Sequence, residues 1–338
     1  PSPVTPVDKG DTILYSSKRI AVFHPALCTS GRRTGRFTGA AEPGGFVEGG
    51  GMSEQEQIHR VFDKVQAHRR IAELIRRFST NRRSVHETAL EGLDLRECRQ
   101  ILDLGCAFGL FTEKLGGGVS PEAVGTGVDV IETYGPLYLE ACRRAGIRGR
   151  FFSEGASVLG TFEDGSFDLI LCSYALYFFP GAIPDIARLL RGEGVFVAIT
   201  HHRQNAGEMI SLIKGILDAR GQYHERDLPV EVITGRFSAE NGEALLKPWF
   251  ARIDTIDFPN RLVFPSRDVE RVLEYFRFKS PLYFADTGLD PGAVIPAVSE
   301  RIRQVASGQR GITITKDDRI FICTRPSGRQ GRSRRERP

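Results

Sequence analysis

At 338 residues, with 41% hydrophobic and 26% charged residues, the chain is long enough for a well-buried core and has the composition of an ordinary soluble protein. The net charge of +4 sits at the ends: residues 1–51 carry +2 and residues 325–338 carry +5, leaving 52–324 at −3, which argues against a broad nucleic-acid surface. There is no apolar run of the roughly 18 residues a membrane span needs, no basic-then-apolar leader, and no C-x-x-C pair among six scattered cysteines, so the expectation is a cytoplasmic protein without a disulfide or metal framework.

Residues 1–51 are rich in Gly, Pro, Ser, Thr and Arg without a sustained period, and are expected to be a disordered extension. Pattern begins at Met52. Ser53 with Glu56 forms a capping box, and Ile58, Val61, Phe62, Val65, Ile71, Leu74, Ile75 and Phe78 follow at helical spacing, predicting one long amphipathic helix. Ser84 with Glu87 repeats the signal for a shorter helix through Leu93.

Gln100–Leu115 (QILDLGCAFGLFTEKL) reads as strand, glycine turn, then helix from Phe108 to Leu115. Gly105 and Gly109, with Cys106 and Ala107 between them, let the backbone turn tightly and approach a ligand. A dinucleotide fingerprint would read G-x-G-x-x-G and take a pyrophosphate. Here the spacing is D-x-G-x-x-x-G, and Asp103 at the strand end repels phosphate, so a cationic or zwitterionic ligand fits better.

Val124–Val128 is the second strand, ending in Asp129, a carboxylate suited to both hydroxyls of a ribose, with Val130 and Ile131 beside the base. A helix over Gly135–Ala145 and a strand over Arg150–Ser153 follow. Phe167–Cys172 has the apolar run of a buried parallel strand and delivers Ser173 to Tyr177 to the ligand-binding edge. A helix over Ala182–Arg191, a turn at Gly192 and Gly194, and a strand over Val195–Thr200 complete the alternation, which ends in His201 and His202, candidates for proton removal or substrate orientation.

Glycine loop, second-strand acid and fourth-strand segment, in this order, resemble the class I S-adenosylmethionine-dependent methyltransferases, in their small-molecule or uncharacterised branch. The resemblance implies that the glycine loop packs on the methionine part of the cofactor, with Asp103 facing its amino group. Gly155 and Ala156 stand where the family has a Gly-Asp pair on the adenine, and Ala107 where its commonest motif has another Gly. It also implies that Ser173 to Tyr177 surround the reactive methyl and that the helices of 52–98 cover the cofactor or shape the substrate entrance. The Asn-Pro-Pro-aromatic motif of adenine and glutamine N-methylation is absent.

Beyond the core at 99–204, residues 205–324 predict helices over Met209–Leu217 and from Ser238 to near Pro248, and a strand over Arg252–Phe258. A helix over Pro265–Phe278 and a strand over Arg319–Thr324 complete them. The stretch 266–309 carries Tyr275, Phe276, Phe278, Tyr283 and Phe284, suitable for a lid, and 325–338 reads as a basic disordered tail. The expected fold is α/β: a doubly wound Rossmann-like seven-stranded sheet, last strand antiparallel, with N-terminal helices and a helical lid. The function implied is transfer of a methyl group from S-adenosylmethionine to an O, N or C nucleophile of a small-molecule acceptor, with Tyr177, His201 and His202 at the chemistry and no metal. RNA or protein methylation, and a non-catalytic cofactor-binding scaffold, are the alternatives. The loop spacing speaks against a nicotinamide enzyme.

Overall fold

The computed structural model describes residues 54–222, 227–285, 287–308 and 311–326. The expected extension at 1–51, the tail from 327 onward and the Ser53 cap lie outside them. Nine strands are present among these residues: β1 Gln100–Leu104, β2 Val124–Val128, β3 Arg148–Phe152, β4 Phe167–Ser173, β5 Leu190–His201, β6 Phe250–Phe258, β7 Arg261–Pro265, β8 Gly311–Thr315 and β9 Asp318–Pro326. Seven form one sheet in the order β3-β2-β1-β4-β5-β9-β6, and β7 pairs with β8 in a separate ribbon. Strands β1 to β5 run parallel, while β9 is antiparallel to both its neighbours, β5 and β6. Strand order reverses between β1 and β4, which opens a crevice at their carboxyl ends where sheets of this kind bind ligands.

Alternation along the strands makes two cores. Leu102, Leu104, Cys172 and Phe196 face one layer, and Ile101, Leu169, Leu171 and Val197 face the other. The covering helices are, in order, α1 Glu54–Phe62, α2 Val65–Phe78, α3 Val85–Leu90, α4 Leu110–Glu113, α5 Gly135–Arg144, α6 Ile183–Leu189, α7 Gly207–Ala219, α8 Pro229–Gly235, α9 Gly242–Leu246, α10 Val269–Phe284 and α11 Pro291–Gly308. A third core gathers α2, α7, α10, α11 and the β7–β8 ribbon into a cap, with Ile71, Ile213, Phe264, Phe276 and Ile302 at its centre.

The elements differ from expectation in several places. The first helix breaks into α1 and α2 because the Phe62 carbonyl accepts a hydrogen bond from the Tyr134 hydroxyl (3.0 Å) instead of continuing the helical ladder. The helix after the glycine loop is only four residues long, since i→i+3 bonds from Lys114 and Leu115 tighten it into a turn ahead of Gly116–Gly118. Strand β5 begins at Leu190 rather than after a turn at Gly192 and Gly194, with an irregular register against Phe167 and Leu169. The lid contains two helices, α10 running on to Phe284 and α11 behind it, closed below by β7 and β8. Finally, β9 continues through Arg325 and Pro326, residues expected in the tail.

Candidate active site

The glycine loop leaves β1 through backbone that side chains resist. Gly105 has φ +65°, and a Cβ there would lie 2.3 Å from the Ala175 Cβ; Gly109 has φ +79°, and its Cβ would lie 2.6 Å from that of Ala141. Between them Ala107 is itself left-handed, at φ +43°, a strain of about 1 kcal/mol or more. Cys106 turns its thiol inward beneath the loop, toward Gly127, where burial pushes its pKa well up, so it offers the site its backbone only.

Asp129 ties this loop to the end of β2. One carboxylate oxygen accepts the Ala107 N–H (2.9 Å), and the other accepts those of Val130 (2.8 Å) and Ile131 (3.1 Å). A carboxylate offers about four acceptor positions, so room remains for one further donor, on the oxygen shared with Ala107. Gly155 closes the other side: its N–H reaches the Asp129 carbonyl (3.2 Å), and a Cβ there would lie 2.5 Å from Val130. Ala156 packs next to it at the margin of the core.

Asp103 is 2% exposed and accepts the Thr112 hydroxyl at 2.6 Å. Burial, with some help from Asp129, pushes its pKa up to about 7 despite that bond. Burial also raises Asp129. Two acids so close to one loop repel a pyrophosphate and gain their full charge when a cation comes near.

An aromatic roof spans the crevice. His68 on α2 bonds the Tyr134 hydroxyl at 2.7 Å and stacks on Phe278 of α10 (5.6 Å, 23°), while Phe108 of the glycine loop meets the His68 ring edge-on (5.1 Å). Phe62 bridges Phe178 and Phe278, at 6.5 and 5.9 Å. Both the N-terminal helices and the lid therefore close over the loop.

At the end of β4 the chain makes a second strained turn, with Tyr174 at φ +54°, a conformation that a bulky residue keeps only when its surroundings hold it. Its hydroxyl donates to Asp318 (2.7 Å), and the Lys316 ammonium lies 4.4 Å from its ring centre. Asp318, opposite His201 across the β5–β9 pair, also meets His201 Nδ1 at 2.6 Å and Lys316 Nζ at 2.9 Å. Burial works against the Asp318 charge, but Lys316 and His201 outweigh it and hold the carboxyl down to about 2. Burial and the Lys316 ammonium push His201 down to about 4, so the ring is neutral near pH 7. An ionised carboxylate can only accept, so Nδ1 carries the proton and Nε2 is left as the basic nitrogen.

His201 lines a narrow cleft with Tyr177, Asn205, Tyr275 and Lys279, walled by apolar side chains of α7, α8 and α10. The Tyr174, His201 and Tyr177 rings run nearly parallel, 24° and 25° between successive pairs. On the loop side, Ser173 bonds His86 Nε2 at 3.0 Å, and burial pushes that histidine down to about 4.

Residues 101–194 match a family model described as a methyltransferase domain. Over these residues the chain is similar to a methyltransferase domain. A curated relative, the uncharacterized methyltransferase YcgJ of Bacillus subtilis (strain 168), is 26% identical over 149 residues, which are 42% of this chain. The match spans 58% of YcgJ's own length. Among solved structures, that of YcgJ is 18% identical with a TM-score of 0.44, covering 71% of this chain and 97% of its own. A putative methyltransferase from Bacillus halodurans C-125 is 13% identical with a TM-score of 0.46, covering 72% and 100%.

Within this fold the structure gathers the sequence-predicted residues into two groups. Asp103, Gly105, Cys106, Ala107, Gly109, Asp129, Val130, Gly155 and Ala156 lie around the loop, and Ser173 stands at the neighbouring strand end. Tyr177 and His201 share the cleft. His202 does not join them: one residue further along, it faces Glu240 (3.3 Å) and Asp257 (3.6 Å), away from the cleft lining. Sequence reasoning missed Asp318, Lys316, His86, Asn205 and Lys279. Among the described residues no cluster of His, Cys, Asp and Glu suits a metal ion, and no helix is long and apolar enough to cross a membrane.

Proposed function

We propose that the protein methylates a small-molecule acceptor bound in the cleft beneath α10, with His201 taking the acceptor's proton. The observation that carries this is the His201–Asp318 pair on the wall of a narrow cleft, with only β4 between the His201 strand and the strand that leads into the glycine loop. S-adenosylmethionine, when bound, supplies an electrophilic methyl group on a positive sulfonium. The loop from Gly105 to Gly109 and the acids Asp103 and Asp129 fit such a ligand: the backbone has no side chains in its tight turns, and the charge favours a cation. Asp129 would accept one ribose hydroxyl through its remaining acceptor position. Val130, Gly155 and Ala156 would flank the adenine, and Ser173 would stand beside the methionine part.

His201 Nε2 would accept a proton from an O–H or N–H of the acceptor, while Asp318 holds Nδ1–H and stabilises the imidazolium that forms. Tyr177, parallel to His201, would orient the acceptor. Closure by the Phe62, Phe108 and Phe278 roof keeps water away from the electrophile. A narrow cleft suits a small molecule better than a nucleic-acid strand or a folded protein. The described cysteines are all free thiols, which accords with a cytoplasmic setting.

The test is transfer of labelled methyl groups from S-adenosylmethionine into small-molecule, RNA and protein fractions of a cell extract. Label in the small-molecule fraction, reduced about 100-fold or more by His201→Gln with cofactor affinity unchanged, is the expected result. Label confined to RNA or protein would refute the acceptor class.

A further inference from the structure

The acceptor cleft holds polar groups that the protein itself leaves unanswered. Lys279, on the inner side of α10, lines it and makes no ion pair or hydrogen bond to a described residue. Burial, followed by repulsion from Lys316, pushes the Lys279 pKa down to about 8, as expected of an ammonium held without a counter-charge. The other charges nearby are already matched: Lys316 is paired with Asp318, and His201 is neutral. The cleft therefore carries one net positive charge near pH 7.

A second observation is independent of that lysine. The side-chain oxygen of Asn205, also in the cleft lining, is buried with no hydrogen-bond partner. Buried polar atoms are nearly always satisfied, and leaving one bare costs about 1–3 kcal/mol. The hydroxyls of Tyr177, Tyr275 and Tyr283, which line the same cleft, likewise make no hydrogen bond to a described residue. Around these groups the walls are apolar, with Ile210, Val230, Ile233 and Leu282. An unpaired cation, a bare amide oxygen and apolar walls are complementary to an anion and a donor carried on an apolar body.

Resting on the methyltransferase reading above, we infer that the acceptor is a hydroxy- or amino-substituted aromatic carboxylic acid, its carboxylate paired with Lys279 and a donor hydrogen facing the Asn205 amide oxygen. The cleft is about 30 Å³ as it stands, so a flat ring enters only as α10 and the tyrosines that bound it move apart. With the carboxylate held at α10, the substituent's hydrogen faces the Asn205 amide oxygen on binding and turns to His201 Nε2, where the proton is removed. A cationic amine acceptor is disfavoured by the same lysine, and a neutral one leaves Lys279 without a counter-charge.

The test is calorimetric titration of the full chain with 4-hydroxybenzoate, 2-hydroxybenzoate, 4-aminobenzoate and 3-(4-hydroxyphenyl)propionate, each against its primary amide, and with tyramine. Each titration is run with and without S-adenosylhomocysteine. At least one acid is expected to bind, tenfold or more tighter than its amide. Lys279→Met is expected to lose that preference while keeping its affinity for S-adenosylhomocysteine, and Lys279→Arg to retain most of it. Equal binding of acid and amide, preference for tyramine, or no binding of any acid overturns the inference, and the wild-type comparison needs no variant to fold. Acid binding through Lys279 without S-adenosylhomocysteine binding would retire the methyltransferase reading and keep the anion site. Cofactor binding without acid selectivity would do the reverse.

Discussion

Asp318 is the residue whose neutralisation should be felt most. It is 1% exposed and holds three partners at once, His201, Lys316 and Tyr174, so Asp318→Asn keeps the shape and removes the charge. Lys316, 6% exposed, is then buried without its counter-ion. Removing one partner of such a pair costs about 3–5 kcal/mol, a large part of the roughly 5–15 kcal/mol that holds a domain together. At roughly 2–4 °C per kcal/mol for a domain of this size, the melting temperature should fall by roughly 6–20 °C. Because the loss comes from the stranded ammonium, the double variant Asp318→Asn with Lys316→Met should recover more than half of it. Urea and thermal denaturation at pH 7 measure both. A loss below about 1 kcal/mol in the single variant, or no recovery in the double, would refute the view that Asp318 neutralises a buried cation. The wild type also carries a pH signature. With Asp318 held at about 2, below its ordinary value of 3.8, its contribution is complete above pH 4 and is lost as pH falls toward 2.

Other consequences follow from the loop and its acids. Gly105→Ala combines left-handed backbone, about 1–2 kcal/mol, with overpacking against Ala175, about 1–3 kcal/mol, and should lower the melting temperature and abolish S-adenosylhomocysteine binding together. Asp103 has the opposite pH behaviour to Asp318: its folded pKa of about 7 lies above the ordinary 3.8, so ionising it costs stability as pH rises from about 4 to 7. Asp103→Asn, which can still accept the Thr112 hydroxyl, should therefore gain stability relative to wild type between pH 5 and pH 8, by up to about 4 kcal/mol at 1.36 per unit, while binding cofactor more weakly; a difference that does not grow with pH contradicts this. His68→Leu removes the bond to Tyr134 and should loosen the roof, read as faster amide exchange in α1 and α2 with little change in the sheet.

The sheet was legible because its signals are local. Apolar runs at Ile101–Leu104 and Phe167–Cys172, each closed by a residue without an apolar side chain, define strands without any partner in view, and β2 matched its expected limits residue for residue. The cap was harder to read. Helix α11 and strand β8 have no capping signal that distinguishes them from the loops around them, and they are held by long-range packing against α7, α10 and β7. The split between α1 and α2 turns on a hydroxyl 72 residues away, beyond the reach of helical periodicity. At the site, the loop glycines and the β2 acid announce themselves by spacing. The Lys316–Asp318–His201 cluster does not, since Lys316 and Asp318 read as an ordinary polar turn until β9 carries them beside His201. The two adjacent histidines were equivalent in sequence, and strand alternation separated them, one into the cleft and one toward Glu240.

The central claim is that the loop from Gly105 to Gly109, clasped by Asp129, holds S-adenosylmethionine. Calorimetric titration of the full chain and its Asp129→Ala variant with S-adenosylhomocysteine tests it most directly. The wild type is expected to bind in the micromolar range and the variant at least tenfold more weakly, with the fold of both confirmed by circular dichroism. A folded wild-type protein that binds neither S-adenosylhomocysteine nor S-adenosylmethionine would contradict it.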